Sequence, residues 1–256
     1  MPLLSDYIFP DWPAPSIVRA VTTTRHSGYS QPPYDSFNLA GHVGDDHSTL
    51  HKNRAQLMQD LPLPREPCWL HQVHGVYPLL LDHDPEPYPT ADASYTHLPN
   101  RVCAVLTADC LPILLCDMLQ GTEVAVIHAG WKGLLSGVIK TTLAAMQTPR
   151  SRLIAWLGPA IGPQAFQVND EMRSAFMTQS HDAKAAFAQH GSDWYGDLYQ
   201  LAKLDLHRLG VHAIYGGHFC TYTDEQRFFS YRRAQGGPTG RMATLIWIDL
   251  DKKGTL

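Results

Sequence analysis

Short β-rich runs interleaved with amphipathic helical stretches predict a layered α/β/α protein built on a mixed sheet. Three observations carry this. Residues 102–106, 113–115 and 124–127 are compact runs of β-forming residues separated by turns, which reads as three adjacent buried strands. Residues 134–146 bring Leu134, Leu135, Val138, Ile139, Leu143 and Met146 round at helical spacing and stop before Pro149. The last third then mixes strand and helix signals rather than segregating them. With 256 residues, 44% of them hydrophobic and 17% charged, the chain can fill one large core, so a single domain over 1–256 is expected.

The remaining elements follow in chain order. Residues 48–60 open on a cap-like serine, place Leu50, Arg54, Leu57 and Met58 near helical spacing and end before Pro62, which predicts a helix. Pro85, Pro87 and Pro89 alternate through residues 82–90 and mark a surface loop. A strand is expected at 153–157, a helix at 170–177, and a second helix at 197–209 closed by Gly210. Strands at 213–215 and 243–248 complete the set. No repeat of 20–50 residues and no low-complexity stretch interrupts the pattern, which sets solenoids aside.

Composition narrows the classes of function. Acidic residues number 24 and basic residues 20, spread without a basic run, so polymeric nucleic acid is not an expected partner. The longest apolar runs, 111–116 and 124–127, fall well short of the roughly 18 residues that a membrane span needs. Asp6, Asp11 and the prolines of residues 1–16 stand where a secretory leader would carry a basic start and an apolar stretch. Five cysteines with no Cys-x-x-Cys pair do not form a disulfide framework. A soluble cytoplasmic protein with reduced thiols is therefore expected.

Three segments put metal-competent side chains at the ends of the expected core strands, where sites are commonly built. In Gln72-Val73-His74-Gly75, an extended backbone would turn His71 and His74 to opposite faces, and Gly75 favours His74 as the inward one. In Ala108-Asp109-Cys110-Leu111-Pro112, the proline cannot donate to a central ladder, which places Cys110 at the mouth of its strand. In Ile127-His128-Ala129-Gly130, the histidine ends an apolar strand where glycine lets the backbone turn. Each residue alone reads more readily as a structural histidine or a buried thiol, and none of the spacings is a tight metal motif. Cys103 and Cys116, inside apolar runs, are expected to be core.

Two further features suit anion recognition. Gly130-Trp131-Lys132-Gly133 joins a strand to a helix, where free N–H groups and Lys132 would hold phosphate, or where the glycines simply allow close packing. Phe228-Phe229-Ser230-Tyr231-Arg232-Arg233, with Thr239-Gly240-Arg241, sets cationic forks beside aromatic faces, and Arg233 and Arg241 are its candidate substrate contacts. A solvated basic strand explains the same run.

Taken together these motifs closely resemble the YfiH family of bacterial proteins. Asn38-Leu39 with His42-Val43-Gly44-Asp45, Asn53-Arg54, Leu157-Gly158-Pro159-Ala160-Ile161-Gly162 and Cys220-Thr221 extend the likeness over nearly the whole chain. The resemblance implies a three-layer α+β fold and a metal site of His74, Cys110 and His128, with zinc as the ion and copper as the alternative. It also implies a purine nucleoside phosphorylase acting on adenosine, inosine and methylthioadenosine, with adenosine deaminase side activity. The family was named for laccase-like polyphenol oxidation and includes a factor that edits peptidoglycan precursors. Lys132 departs from the arginine that many members carry, which weakens any forked phosphate contact transferred to it.

Three protein ligands with one open position are the pattern of a catalytic zinc, which activates water near neutral pH. Asp109, beside Cys110, is the candidate for orienting a ligand or for acid–base duty. The competing readings are a copper-dependent polyphenol oxidase, a metal-free amidase with Cys110 as nucleophile and His128 as base, and a binding module without catalysis.

Overall fold

Residues Leu111–Asp117 form a strand in which every position is buried, and a strand buried on both faces needs a packing layer on each side. That requirement organises the molecule. The computed structural model describes residues 6–250; the part of the leader expectation that falls on residues 1–5 lies outside them.

The chain opens with β1 (Tyr7–Ile8), β2 (Val18–Thr23) and helix α1 (His47–Asp60). Then come β3 (Pro78–Leu80), β4 (Ala93–Thr96), β5 (Cys103–Thr107), β6 (Leu111–Asp117) and β7 (Val124–Ala129). Helices α2 (Trp131–Ser136) and α3 (Val138–Ala145) lead into β8 (Leu153–Leu157). The last third holds β9 (Gln167–Val168), α4 (Asp170–Gln179), β10 (Phe187–His190), β11 (Asp193–Gly196), α5 (Leu198–Arg208), β12 (Ala213–Gly216) and β13 (Met242–Ile248).

Ten of these strands form two stacked sheets, one ordered β1-β2-β13-β5 and the other β12-β8-β6-β7-β4-β3. The four-stranded sheet is antiparallel throughout. In the six-stranded sheet β12–β8 and β3–β4 run parallel and the other pairs antiparallel, so the expected mixed sheet is present. A small separate sheet, β10-β11-β9, stands apart from both.

Side-chain alternation distributes each strand between two cores. Leu111, Ile113 and Leu115 of β6 face the helices, against Leu134, Ile139 and Leu143. Their neighbours Leu114 and Cys116 face the other sheet, meeting Val105 of β5 and Ile246 of β13. The far side of the four-stranded sheet, through Ala104, Leu106 and Leu245, packs on Leu57 of α1. Helices thus cover both outer faces of this α+β protein, and the β layer between them is double.

Three local expectations need correction. Residues 102–106 were expected beside the next two strands, but β5 pairs with β13 in the other sheet, while β6 and β7 are neighbours. The helix expected at 134–146 is broken at Gly137, whose φ of +91° is a left-handed conformation that glycine adopts readily. Helix α1 is capped by Asp46, which accepts from the Thr49 backbone N–H, and Ser48 donates to that same carboxylate instead of capping.

Candidate metal centre

Strand β7 carries His128 to its penultimate position, where the register sets it opposite Pro112 of β6. Cys110 sits one residue before β6 begins, held there by Asp109, which takes a φ of +93°. His74 comes from the loop before β3 and also adopts a left-handed φ of +58°. Three separate stretches of chain thus converge. The potential ligand atoms of His74, Cys110 and His128 lie within 4.8 Å of one another, and the two imidazole rings meet edge to face with centroids 4.7 Å apart.

Asp92, fully buried just before β4, fastens this arrangement. Its Oδ1 accepts from the His74 backbone N–H at 2.9 Å and lies 2.8 Å from the His128 Nδ1. Its Oδ2 accepts from the N–H groups of Gly75 at 2.6 Å and Val73 at 3.2 Å. One carboxylate therefore shapes the loop that presents His74 and fixes the ring of His128, leaving the His128 Nε2 free to face the other ligands. Burial pushes the Asp92 carboxyl up, but the hydrogen bonds from His128 and the backbone more than offset it and hold it below the usual carboxylate range.

The electrostatics suit a cation. Burial alone would raise the Cys110 thiol, yet His128 and His74 bring it down to about 6. Burial alone would lower His128, yet the Cys110 thiolate and Asp92 bring it up to about 9. The two shifts favour a thiolate beside an imidazolium, and a metal ion held there would take the place of the imidazolium proton. By contrast Cys103 and Cys116, buried among apolar side chains, are pushed up to about 12.

The donor set fits a zinc-type ion. Zinc–sulfur and zinc–nitrogen bonds of about 2.3 and 2.1 Å at a tetrahedral angle separate the two donor atoms by about 3.6 Å. The Cys110 Sγ lies 3.7 Å from the His74 Nε2. Gly130 leaves the necessary room, because a Cβ there would stand 2.9 Å from both the Cys110 Sγ and the His74 Cδ2.

His74 and Cys110 open onto a cavity of about 340 Å³ whose walls include Trp131, Lys132, Ile161, Phe166, Tyr231 and Arg232. Of the expected substrate contacts, Lys132 lines this cavity. Arg233 does not, since its guanidinium donates to the carbonyls of Thr221, Tyr222 and Phe228 and scaffolds the turn around it. Arg241 donates to the Thr239 and Gly240 carbonyls and lies 5.8 Å from the Tyr231 ring centroid. Asp109 lines the cavity, but its carboxylate accepts from Thr221 Oγ1, Ser230 Oγ and the Arg232 N–H, which pins the C-terminal turns beside Cys110. Those turns replace the basic strand that residues 228–233 allowed. His71 stays outside the ligand cluster and pairs through its backbone with Thr90. Asp92 and Phe166 escaped the sequence reading, and Arg232 entered it only within the cationic run 228–233, where Arg233 was the candidate contact.

Comparison with known proteins agrees with this geometry. Residues 19–249 match the family described as multi-copper polyphenol oxidoreductase laccase. The purine nucleoside phosphorylase YfiH of Escherichia coli is 49% identical over 245 residues, covering 96% of this chain and all of that protein. A purine nucleoside phosphorylase of Pseudomonas aeruginosa is 45% identical over 247 residues, covering 96% of this chain and 99% of the relative. Among solved structures, a Neisseria meningitidis protein superposes with a TM-score of 0.88 at 44% identity, covering 95% and 99% of the two chains. YlmD from Geobacillus stearothermophilus gives 0.85 at 29% identity, covering 91% and 93%. The ordered motifs, the matched fold and these full-length relatives place the chain in the YfiH family.

Proposed function

We propose that this protein is a metal-dependent purine nucleoside phosphorylase, acting on adenosine, inosine and methylthioadenosine, with zinc as its ion and adenosine deamination as a side activity. The observation that carries the reading is the convergence of His74, Cys110 and His128 beside a cavity onto which His74 and Cys110 open, walled by Trp131, Phe166 and Tyr231. Aromatic faces suit a flat purine, and relatives that share nearly half of their residues with this chain are named purine nucleoside phosphorylases. We further propose that the whole chain, 1–256, works as one domain in the cytoplasm. Its five free cysteines suit that compartment, and among the described residues no helix is long and apolar enough to cross a membrane.

A zinc-type ion held by His74, Cys110 and His128 supplies Lewis acidity and an activated water near neutral pH. The chain's own residues do the rest. Asp92 holds the His128 ring by its Nδ1 and the His74 loop by its backbone, so both donors are set before substrate arrives. Asp109 keeps the C-terminal turns over the cavity. The aromatic walls offer flat faces to the base, and Lys132 offers a charge at the cavity's edge.

Two specific observations favour other chemistries. The description of the matched family favours a copper-dependent polyphenol oxidase. The depressed Cys110 thiol beside His128 favours a cysteine amidase acting on a cell-wall precursor. Parallel incubations separate all three: the purified protein is given inosine or adenosine with and without phosphate, a phenol under air, or a muramyl peptide, and the products are followed by chromatography. Ribose 1-phosphate that appears only with phosphate is expected, together with inosine from adenosine in either buffer. Oxidised phenol or a cleaved muramyl amide in the absence of both products overturns the proposal.

A further inference from the structure

We propose that Arg232 and Lys132 together form the oxyanion subsite of the cavity, receiving inorganic phosphate beside the nucleoside. The identity of the anion rests on the phosphorylase reading; the subsite itself rests on geometry. Both residues line the cavity into which His74 and Cys110 open.

Arg232 is held rigidly for such a task. Its backbone N–H donates to the Asp109 carboxylate at 2.7 Å, and its Nη1 donates to the Gln167 carbonyl at 3.1 Å and to the Ala165 carbonyl at 3.4 Å. Its guanidinium carbon stands 5.5 Å from the Phe166 ring centroid, so an aromatic face supports the plane. These contacts occupy one nitrogen. Among the described residues no acceptor meets Nε or Nη2, and neither atom belongs to the buried unpaired set. A guanidinium held through one nitrogen on the wall of a cavity, with Nε and Nη2 uncommitted, has donors to spare for a pair of phosphate oxygens.

Lys132 adds a point charge on the adjoining wall. Its ammonium lies 5.6 Å from the Trp131 ring centroid, and it enters no salt bridge among the described residues. The one carboxylate of the cavity wall, Asp109, already accepts three hydrogen bonds directed away from it. Away from Cys110, which belongs with the metal, the lining carries two cations and one carboxylate, which favours an anion. Arg233, one residue further along, is excluded because three carbonyls occupy its fork.

The test uses full-length zinc-loaded protein and inorganic phosphate as the probe. Arg232→Gln and Lys132→Gln each remove a charge and keep a polar side chain. Phosphate binding is read by calorimetry, and phosphate KM, nucleoside KM and kcat are read by ribose 1-phosphate formation. Each variant is expected to weaken phosphate binding about 10- to 150-fold, the loss of one charge-assisted hydrogen bond. The fall in phosphate affinity should exceed any change in nucleoside KM by about tenfold or more. Arg233→Gln should lower Tm with phosphate affinity kept, and Arg232→Lys should recover part of the affinity that Arg232→Gln loses. If the parent protein binds phosphate but forms no ribose 1-phosphate, and Arg232→Gln abolishes that binding, the phosphorylase reading fails while the subsite stands. Unchanged phosphate affinity in both Gln variants, no phosphate binding by the parent, or an equal fall in every parameter overturns the subsite.

Discussion

Replacing Asp92 by asparagine probes the metal centre without touching a ligand. The two carboxylate oxygens divide four donors: Oδ1 serves the His74 N–H and the His128 Nδ1, and Oδ2 serves the N–H groups of Val73 and Gly75. An amide of the same shape satisfies one pair only. Whichever way it turns, its NH2 group faces two N–H donors inside a site with no solvent exposure at this residue. Each buried donor left unpaired costs about 1–3 kcal/mol. Loss of the carboxylate behind a ligating histidine also lowers metal affinity about 10- to 100-fold, or roughly 1.4–2.7 kcal/mol. Zinc affinity measured by competition with a chelator, alongside Tm of the metal-stripped protein, reads both effects. A variant with parental zinc affinity and parental Tm would refute the claim that Asp92 positions the two histidines.

Cys110→Ala should lose bound zinc while keeping the parental circular dichroism, whereas His71→Ala should keep one zinc per chain, because His71 lies outside the cluster; elemental analysis checks both. Gly130→Ala should lower zinc occupancy although it alters no ligand, since its Cβ would stand 2.9 Å from the Cys110 Sγ and the His74 Cδ2; the same analysis reads it. In metal-stripped protein, Cys110 should react with iodoacetamide with a midpoint near pH 6, against 9.0 for an ordinary thiol. The sign follows from the depressed value: the thiolate persists down to about pH 6 and reactivity is lost as pH falls through it. Mass spectrometry should find this alkylation suppressed by added zinc, and a midpoint near 9 would remove the thiolate–imidazolium pair.

Much of this was legible in the sequence because it depends on local pattern. The helices and strands β5 to β8, β12 and β13 follow from periodicity, and Cys110 and His128 stand at strand ends that the apolar runs mark. Strands β1 to β4 and β9 to β11 were not read, and His74 lies in a left-handed loop rather than at a strand end. What escaped depends on distant pairing. Strand β5 looks like its neighbours because strands covered on both faces lose their alternation, so nothing local says which of two stacked sheets receives it. Gly137 sits inside an unbroken apolar pattern that α2 and α3 share, and only the left-handed turn reveals two helices. Asp92 is separated from His128 by 36 residues, and its partners on the loop at Val73 to Gly75 carry no side-chain signature. Between Arg232 and Arg233 the choice is made by Asp109, which receives the Arg232 N–H and sets the phase of the turn.

The central claim is that the His74, Cys110 and His128 centre, loaded with metal, runs phosphate-dependent cleavage of purine nucleosides. The direct test is ribose 1-phosphate formation from inosine by protein stripped with a chelator and then titrated with zinc. The stripped protein should form no product, activity should recover and saturate at one zinc per chain, and Cys110→Ala should not recover. Full activity in the stripped protein, or recovery by Cys110→Ala, would contradict it.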